Sequence, residues 1–221
     1  MKINQKGFTL VEIAIVLVII GLLLGGILKG QEMIIQAKIK NAITDFSGVS
    51  AAYFGYQDRY RFTPGDDNQA TRWGGAVPAV AGDGNRVLTG AYNSTTDADE
   101  SRKWWDHLRR SGFVSGSGYA QPNNAFNGIL GVQTGDGAAT TGATPTAAGP
   151  TLGGFTALIM CSTSLPDKVA IALDVQMDDG LVNSGFVRGG VENSTAIGVA
   201  TATATTYAET GTNNYTLCRQ F

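Results

Sequence analysis

Few residues in this 221-residue chain combine the type and the spacing that chemistry needs. Glu12 stands out, because it interrupts an apolar run. Phe8 to Leu28 is 21 residues, of which 16 are apolar. A carboxylate is costly to place in hydrocarbon, so an acid in such a segment signals a function by default. Glu12 lies four residues after Phe8, on the same face of a helix and near its positive end. A cut after Gly7 would leave an α-amine on Phe8, a cation at the right depth to pair with Glu12 in one chain or between neighbours. Cys161 and Cys218 are the only cysteines, and the pattern alone leaves open two free thiols or one bond. With a single histidine, His107, they cannot form a zinc site of three or four Cys/His ligands. No nucleophile motif stands near His107, so a structural role is expected and no catalytic residue is assigned. Asp174, Asp178 and Asp179 form one acidic cluster, and Asp66 with Asp67 another. Neither has the spacing of a twelve-residue calcium loop, and Asp-Asp-Gly is common turn chemistry. No metal ligand and no cofactor is expected.

The elements that hold these residues follow from periodicity. Met1 to Gly7 carries Lys2 and Lys6 and no acid, which keeps the N-terminus cytoplasmic and sends the C-terminal bulk outward. As a helix, residues 8–28 would be about 31 Å long, enough to cross a bilayer core. A cleaved secretory signal fits poorly, because the run is too long and no small-x-small site follows it. Beyond Lys29 the pattern turns amphipathic. Ile35, Ile39, Ala42, Phe46, Val49, Tyr53, Tyr56 and Tyr60 recur at alternating spacings of four and three, a helical seam. Thr63-Pro64-Gly65-Asp66 is the first stop signal. One helix from about Phe8 to Tyr60 would be about 80 Å long. A seam that becomes small and aromatic favours packing on a sheet over a coiled-coil dimer.

Lys6-Gly7-Phe8-Thr9-Leu10-Val11-Glu12 followed by an apolar run resembles the class III leader of type IV pilins and type II secretion pseudopilins. The resemblance covers roughly residues 1–30: a short basic leader, Gly before Phe, and Glu at the fifth residue counted from that Phe. It implies cleavage between Gly7 and Phe8 by a prepilin peptidase, N-methylation of Phe8, and pairing of Glu12 with the Phe8 amine of an adjacent subunit. Loss of Lys2 and Lys6 would leave 14 basic against 18 acidic residues, moving the formal charge from −2 to −4. Major pilins commonly have a proline about twenty residues into the mature helix. This chain has none before Pro64, and instead has Gly21 with Gly25 and Gly26 with Gly30, spacings that let apolar helices approach closely. Major pilin, minor pilin and pseudopilin therefore stay open.

For the rest of the chain the expected fold class is α+β and pilin-like: a long N-terminal α-helix packed against an antiparallel β-sheet head. The expected divisions are residues 1–7 as a cleaved leader, 8–28 as membrane or filament-core helix, 29–62 as its amphipathic continuation, and 63–221 as the head. Residues 66–98 are expected to be a long surface loop with a short strand at 86–88. Acids at Asp97, Asp99 and Glu100, Arg109 and Arg110 at the far end, and Gly112 as a stop predict a helix between them. Strand-like runs fall at 154–161, 168–175, 185–191 and 215–218, with a hairpin-type turn at Met177-Asp178-Asp179-Gly180, giving about four antiparallel strands. Residues 134–156 and 194–212 read as Thr/Ala/Gly-rich surface loops. The resemblance and an exported head together imply a Cys161–Cys218 disulfide.

A net charge of −2 and a pI near 5.3 leave no basic excess for a nucleic-acid backbone. The Tyr53-Phe54…Arg59-Tyr60-Arg61 cluster accordingly reads as core, not as a base-stacking platform. The functional expectation is a non-enzymatic structural subunit of a type IV pilus-like filament. Its expected partners are copies of itself, the prepilin peptidase, the inner-membrane assembly machinery and, through residues 8–28, the membrane. It would be a single-pass inner-membrane precursor with a periplasmic head, then part of a periplasmic or extracellular filament. The alternatives are a minor pilin or a pseudopilin of a type II secretion system, or a membrane-anchored enzyme or binding protein that never polymerises.

Overall fold

Fifty-one residues without a proline form one helix, α1, Leu10–Tyr60. It belongs to a computed structural model that describes residues 7, 9–74, 77–135, 155–192, 200–201 and 206–221. The chain divides into two compact units, Met1–Lys38 and Ile39–Phe221. Within the first unit every described apolar residue from Leu10 to Leu28 is exposed, and the helix is long and apolar enough to cross a membrane.

In the second unit the expected seam turns inward. Ile39, Ala42, Phe46, Val49 and Tyr56 are buried, joined by Ala52. Tyr53 and Tyr60 pack against the same core, whereas Ile35, in the first unit, is 45% exposed. Phe46, Val49 and Tyr56 meet Trp104, Trp105 and Leu108 of α2 (Glu100–Arg110), with Leu130, Val132 and Met160 from two strands. Ile39 and Ala42 meet Leu165, Val169, Leu173, Tyr215 and Leu217 in a second cluster. Burial of a side chain of this size contributes roughly 1.5–3 kcal/mol.

Among the described residues the sheet has five antiparallel strands: β1 Leu130–Thr134, β2 Leu158–Pro166, β3 Val187–Glu192, β4 Ala200–Thr201 and β5 Asn214–Gln220, ordered β1-β2-β5-β3-β4. Side chains alternate across it. Met160 and Leu217 join the two helix-facing clusters, while Ile159, Cys161 and Cys218 pack with Tyr92 and Phe155 in a third. Cys161 and Cys218 are direct partners across β2 and β5, and a disulfide joins them.

Three expectations require correction. Residues 168–175 are not a strand but most of α3, Asp167–Met177. Val169, Ile171, Leu173 and Val175 do alternate, yet the buried residues are Asp167, Val169, Ala170, Leu173 and Asp174, while Val175 is 60% exposed. That spacing is helical, and Met177–Gly180 therefore ends a helix and does not join two strands. No strand forms at 86–88. β1 was not anticipated, because Gly131 breaks its pattern; a Cβ there would collide with the carbonyl of Tyr92. Most of the Thr/Ala/Gly-rich 134–156 segment, and much of 194–212, lie outside the described residues.

Between α1 and α2, side chains take the place of regular structure. Asp66 accepts backbone N–H groups from Gly84 (2.7 Å), Asn85 (3.0 Å) and Arg86 (2.7 Å). Asp67 accepts the Tyr56 hydroxyl at 2.6 Å and both Arg72 guanidinium nitrogens. Glu100 accepts the N–H groups of Asp83 and Thr89. His107 is fully buried, its Nδ1 accepting the Gly65 N–H and its Nε2 lying 2.9 Å from the Val80 carbonyl. Those partners require the neutral Nε2–H tautomer.

Two measurements test this frame. Replacing both cysteines by alanine should cost about 2–5 kcal/mol of unfolding free energy, read by urea titration of tryptophan fluorescence; an unchanged midpoint would contradict it. Burial holds the His107 pKa below its ordinary value. A depressed histidine favours the fold when neutral, so its contribution is complete above a pH of about 6.5 and is lost as pH falls below that. Below about pH 6 the stability of wild type minus that of His107→Gln should decline, by at most about 1.4 kcal/mol per pH unit. A flat difference would show that the ring protonates without penalty.

Candidate functional site: the start of the long helix

Thr9 is the residue before α1, in the position of an N-cap. Its hydroxyl accepts the Glu12 N–H at 3.3 Å, while its own N–H and hydroxyl donate to Glu12 Oε2 at 2.8 and 2.9 Å. This is a capping box, Thr-x-x-Glu, in which two otherwise unsatisfied donors at the helix start find partners in each other's residue. The negative carboxylate also sits at the positive end of the helix. Glu12 is thus oriented toward the residues just before the helix. Gly7, two residues before Thr9, is exposed, and Phe8 lies outside the described residues. Thr9 was missed in the sequence reading, although the spacing Thr9-x-x-Glu12 ahead of an apolar run is a recognisable N-terminus signature.

Beyond Glu12 the helix presents only apolar side chains and glycine up to Leu28, then an exposed ion pair, Lys29 with Glu32 at 2.8 Å. A Cβ built on Gly21, Gly25, Gly26 or Gly30 would meet nothing within 4 Å. The fold of the chain itself does not need these glycines.

The other candidate residues serve different ends. Asp66 and Asp67 do not act together: Asp67 is committed to Tyr56 and Arg72, whereas Asp66 groups with Asp83 and Glu100. Asp174, Asp178 and Asp179 do lie together, with one carboxylate oxygen of each within 4.8 Å of the others. Both groups have the all-oxygen donor set of a hard cation such as calcium, yet every one of these carboxylates already accepts a bond. Asp174 accepts the Tyr207 hydroxyl and the Gly180 N–H, Asp178 the Val187 N–H, and Asp179 the Ser184 hydroxyl. Burial pushes the Asp174 carboxyl up to about 6, opposed by the bonds from Tyr207 and Gly180. His107 has backbone partners at both ring nitrogens. In the aromatic cluster at the end of α1, Tyr53 packs on Trp104 and Phe221, and Tyr60 on Tyr56 and Trp73.

The chain's chemistry-bearing feature is therefore the short stretch from Gly7 to Glu12 and the uncovered apolar helix behind it. Comparison with curated proteins gave no match. Among protein families, the model of the prokaryotic N-terminal methylation motif matches residues 2–28. The leader and the apolar helix fit a membrane-anchored precursor, and through residues 2–28 this chain is similar to the type IV pilins and pseudopilins that carry the N-terminal methylation motif.

Proposed function

We propose that this chain is a structural, non-enzymatic subunit of a type IV pilus-like filament. The observation that carries the reading is Glu12, an acid held at the start of an exposed apolar helix inside the methylation motif. In this reading a prepilin peptidase cuts between Gly7 and Phe8, removing residues 1–7, and the new Phe8 amine is methylated. Residues 8–28 anchor the precursor in the inner membrane, N-terminus cytoplasmic and head periplasmic. Residues 29–60 continue the helix, two residues short of the expected 62, and 63–221 make up the head. During assembly, Glu12 of one subunit pairs with the Phe8 amine of the next. The capping box supports this, because it fixes the Glu12 carboxylate beside Thr9, one residue from that amine. The unneeded glycines support close helix packing against other copies.

A second reading within the same class, a minor pilin or a type II secretion pseudopilin, is favoured by one observation. α1 has no proline to melt it in a filament, and glycines stand in the corresponding region.

Two experiments test the proposal. Mass spectrometry of the chain from its native membrane should find an N-terminus at a methylated Phe8; an intact Met1 would overturn the reading. The second separates charge from capping. Glu12→Gln retains an N3 side chain able to cap but cannot pair with a cation, so it should be processed yet yield at least tenfold fewer filaments by electron microscopy. Thr9→Ala keeps the charge and removes the cap hydroxyl, and should still assemble. Normal filaments from Glu12→Gln would show that the acid is only a cap.

A further inference from the structure

The pocket beside the end of α1 takes no part in processing or assembly as proposed above. It holds about 520 Å³ and is walled by the last turns of α1 (Phe54, Gln57), the exit at Arg61 and Thr63, and the turn carrying Arg86. This volume is in the range of small-molecule sites.

Its two arginines are unusual in backbone. Arg61 has φ 65° and Arg86 φ 70°, the left-handed region that L-residues seldom adopt and that glycine or asparagine takes at lower cost. Among the described residues four non-glycines have positive φ, and the two charged ones line this same pocket. Strain of this kind tends to accumulate at ligand clamps.

The two guanidinium charges are only weakly paired. The Arg86 side chain has no hydrogen bond or ion pair among the described residues. Among the described residues the Arg61 side chain has an ion pair only with Asp58, at 3.7 Å, both side chains being at least 80% exposed, an arrangement that contributes little. Asp66, also in the pocket wall, is saturated by the N–H groups of Gly84, Asn85 and Arg86. It holds the turn that presents Arg86 and does not neutralise it. Phe54 leaves half its surface open, 52%, with its ring braced by Tyr53 at 5.0 Å. Gln57 donates its Nε2 to Tyr53, which leaves its carbonyl oxygen for another donor.

We propose that this pocket binds an acidic sugar residue: a ring bearing one carboxylate and several hydroxyls. The guanidinium groups of Arg61 and Arg86 form its cationic wall, with planar forks suited to a carboxylate. Phe54 offers a face to the C–H side of the ring, and Gln57 and Thr63 face the hydroxyls. A long polyanion is disfavoured, because Asp58 and Asp66 line the same pocket and Asp83 stands beside the turn. The walls are too polar for a purely apolar ligand.

The test is a calorimetric titration of the full chain in detergent micelles with D-glucuronate, D-glucose and inorganic phosphate in turn. The expected result is saturable glucuronate binding, no glucose binding, and phosphate at least tenfold weaker. Arg86→Asn, which tolerates positive φ, should weaken glucuronate at least tenfold while the Tm stays equal or rises; Phe54→Ala should also weaken it. Absence of saturation by glucuronate, equal binding of glucose or of phosphate, or undiminished binding by Arg86→Asn would overturn the proposal. No arm of the test requires cleavage or assembly, so its failure leaves the filament reading untouched.

Discussion

Everything in the first unit depends on one constraint: the apolar surface of α1 from Leu10 to Leu28 has nothing in its own unit to cover it. Apolar area left in water costs roughly 25 cal/mol per Å², and a patch of this size is not what a monomer leaves in water. Such a surface fits a membrane-anchored precursor, in which hydrocarbon would supply the cover. A hydrocarbon surround would explain why a polar group is tolerated only where the helix start can use it. Glu12 satisfies donors that would otherwise be unpaired in an apolar medium, and its partner Thr9 is itself used twice. The exposed pair of Lys29 and Glu32 holds the first charges after Glu12 along the helix.

The head solves a different problem. About forty residues separate α1 from α2, with a single 3₁₀ turn, Ala70–Arg72, among the described ones. Such a path would ordinarily leave many backbone groups unsatisfied or mobile. Here Asp66, Asp67, Glu100 and His107, all at most 3% exposed, receive those groups. Fully satisfied buried polar networks rigidify and specify one arrangement. Arg72 adds to this, pairing with Asp67 while stacking over Tyr60 and Trp73 at about 5 Å.

What was legible in the sequence follows from the range of the interactions. The Gly7–Glu12 signature and the seam on α1 are local patterns, as are the charges and stop signal of α2. α3 was misread because period two and period 3.6 coincide over Val169 to Val175, and tertiary burial of Ala170 and Asp174 decided between them. β1 was hidden by a glycine whose reason, the Tyr92 carbonyl, lies 39 residues away in sequence. Asp66 was read as a turn acid beside Asp67, since nothing local announces donors at residues 84–86. The capping box was local and legible, and was overlooked because Glu12 was read for its charge alone. The pocket depends on φ values at Arg61 and Arg86 that no composition reveals.

The disulfide has a consequence for resistance to proteolysis. It ties adjacent central strands, β2 and β5, and the covalent ring it closes contains α3, β3, β4 and the stretch leading into β5. A protease that cut once anywhere inside that ring would produce no free fragment. Both ends of the cut chain would remain strand neighbours, held by the bond and by the β2–β5 ladder. Integrity of the head thus does not require every exposed segment within the ring to resist cleavage.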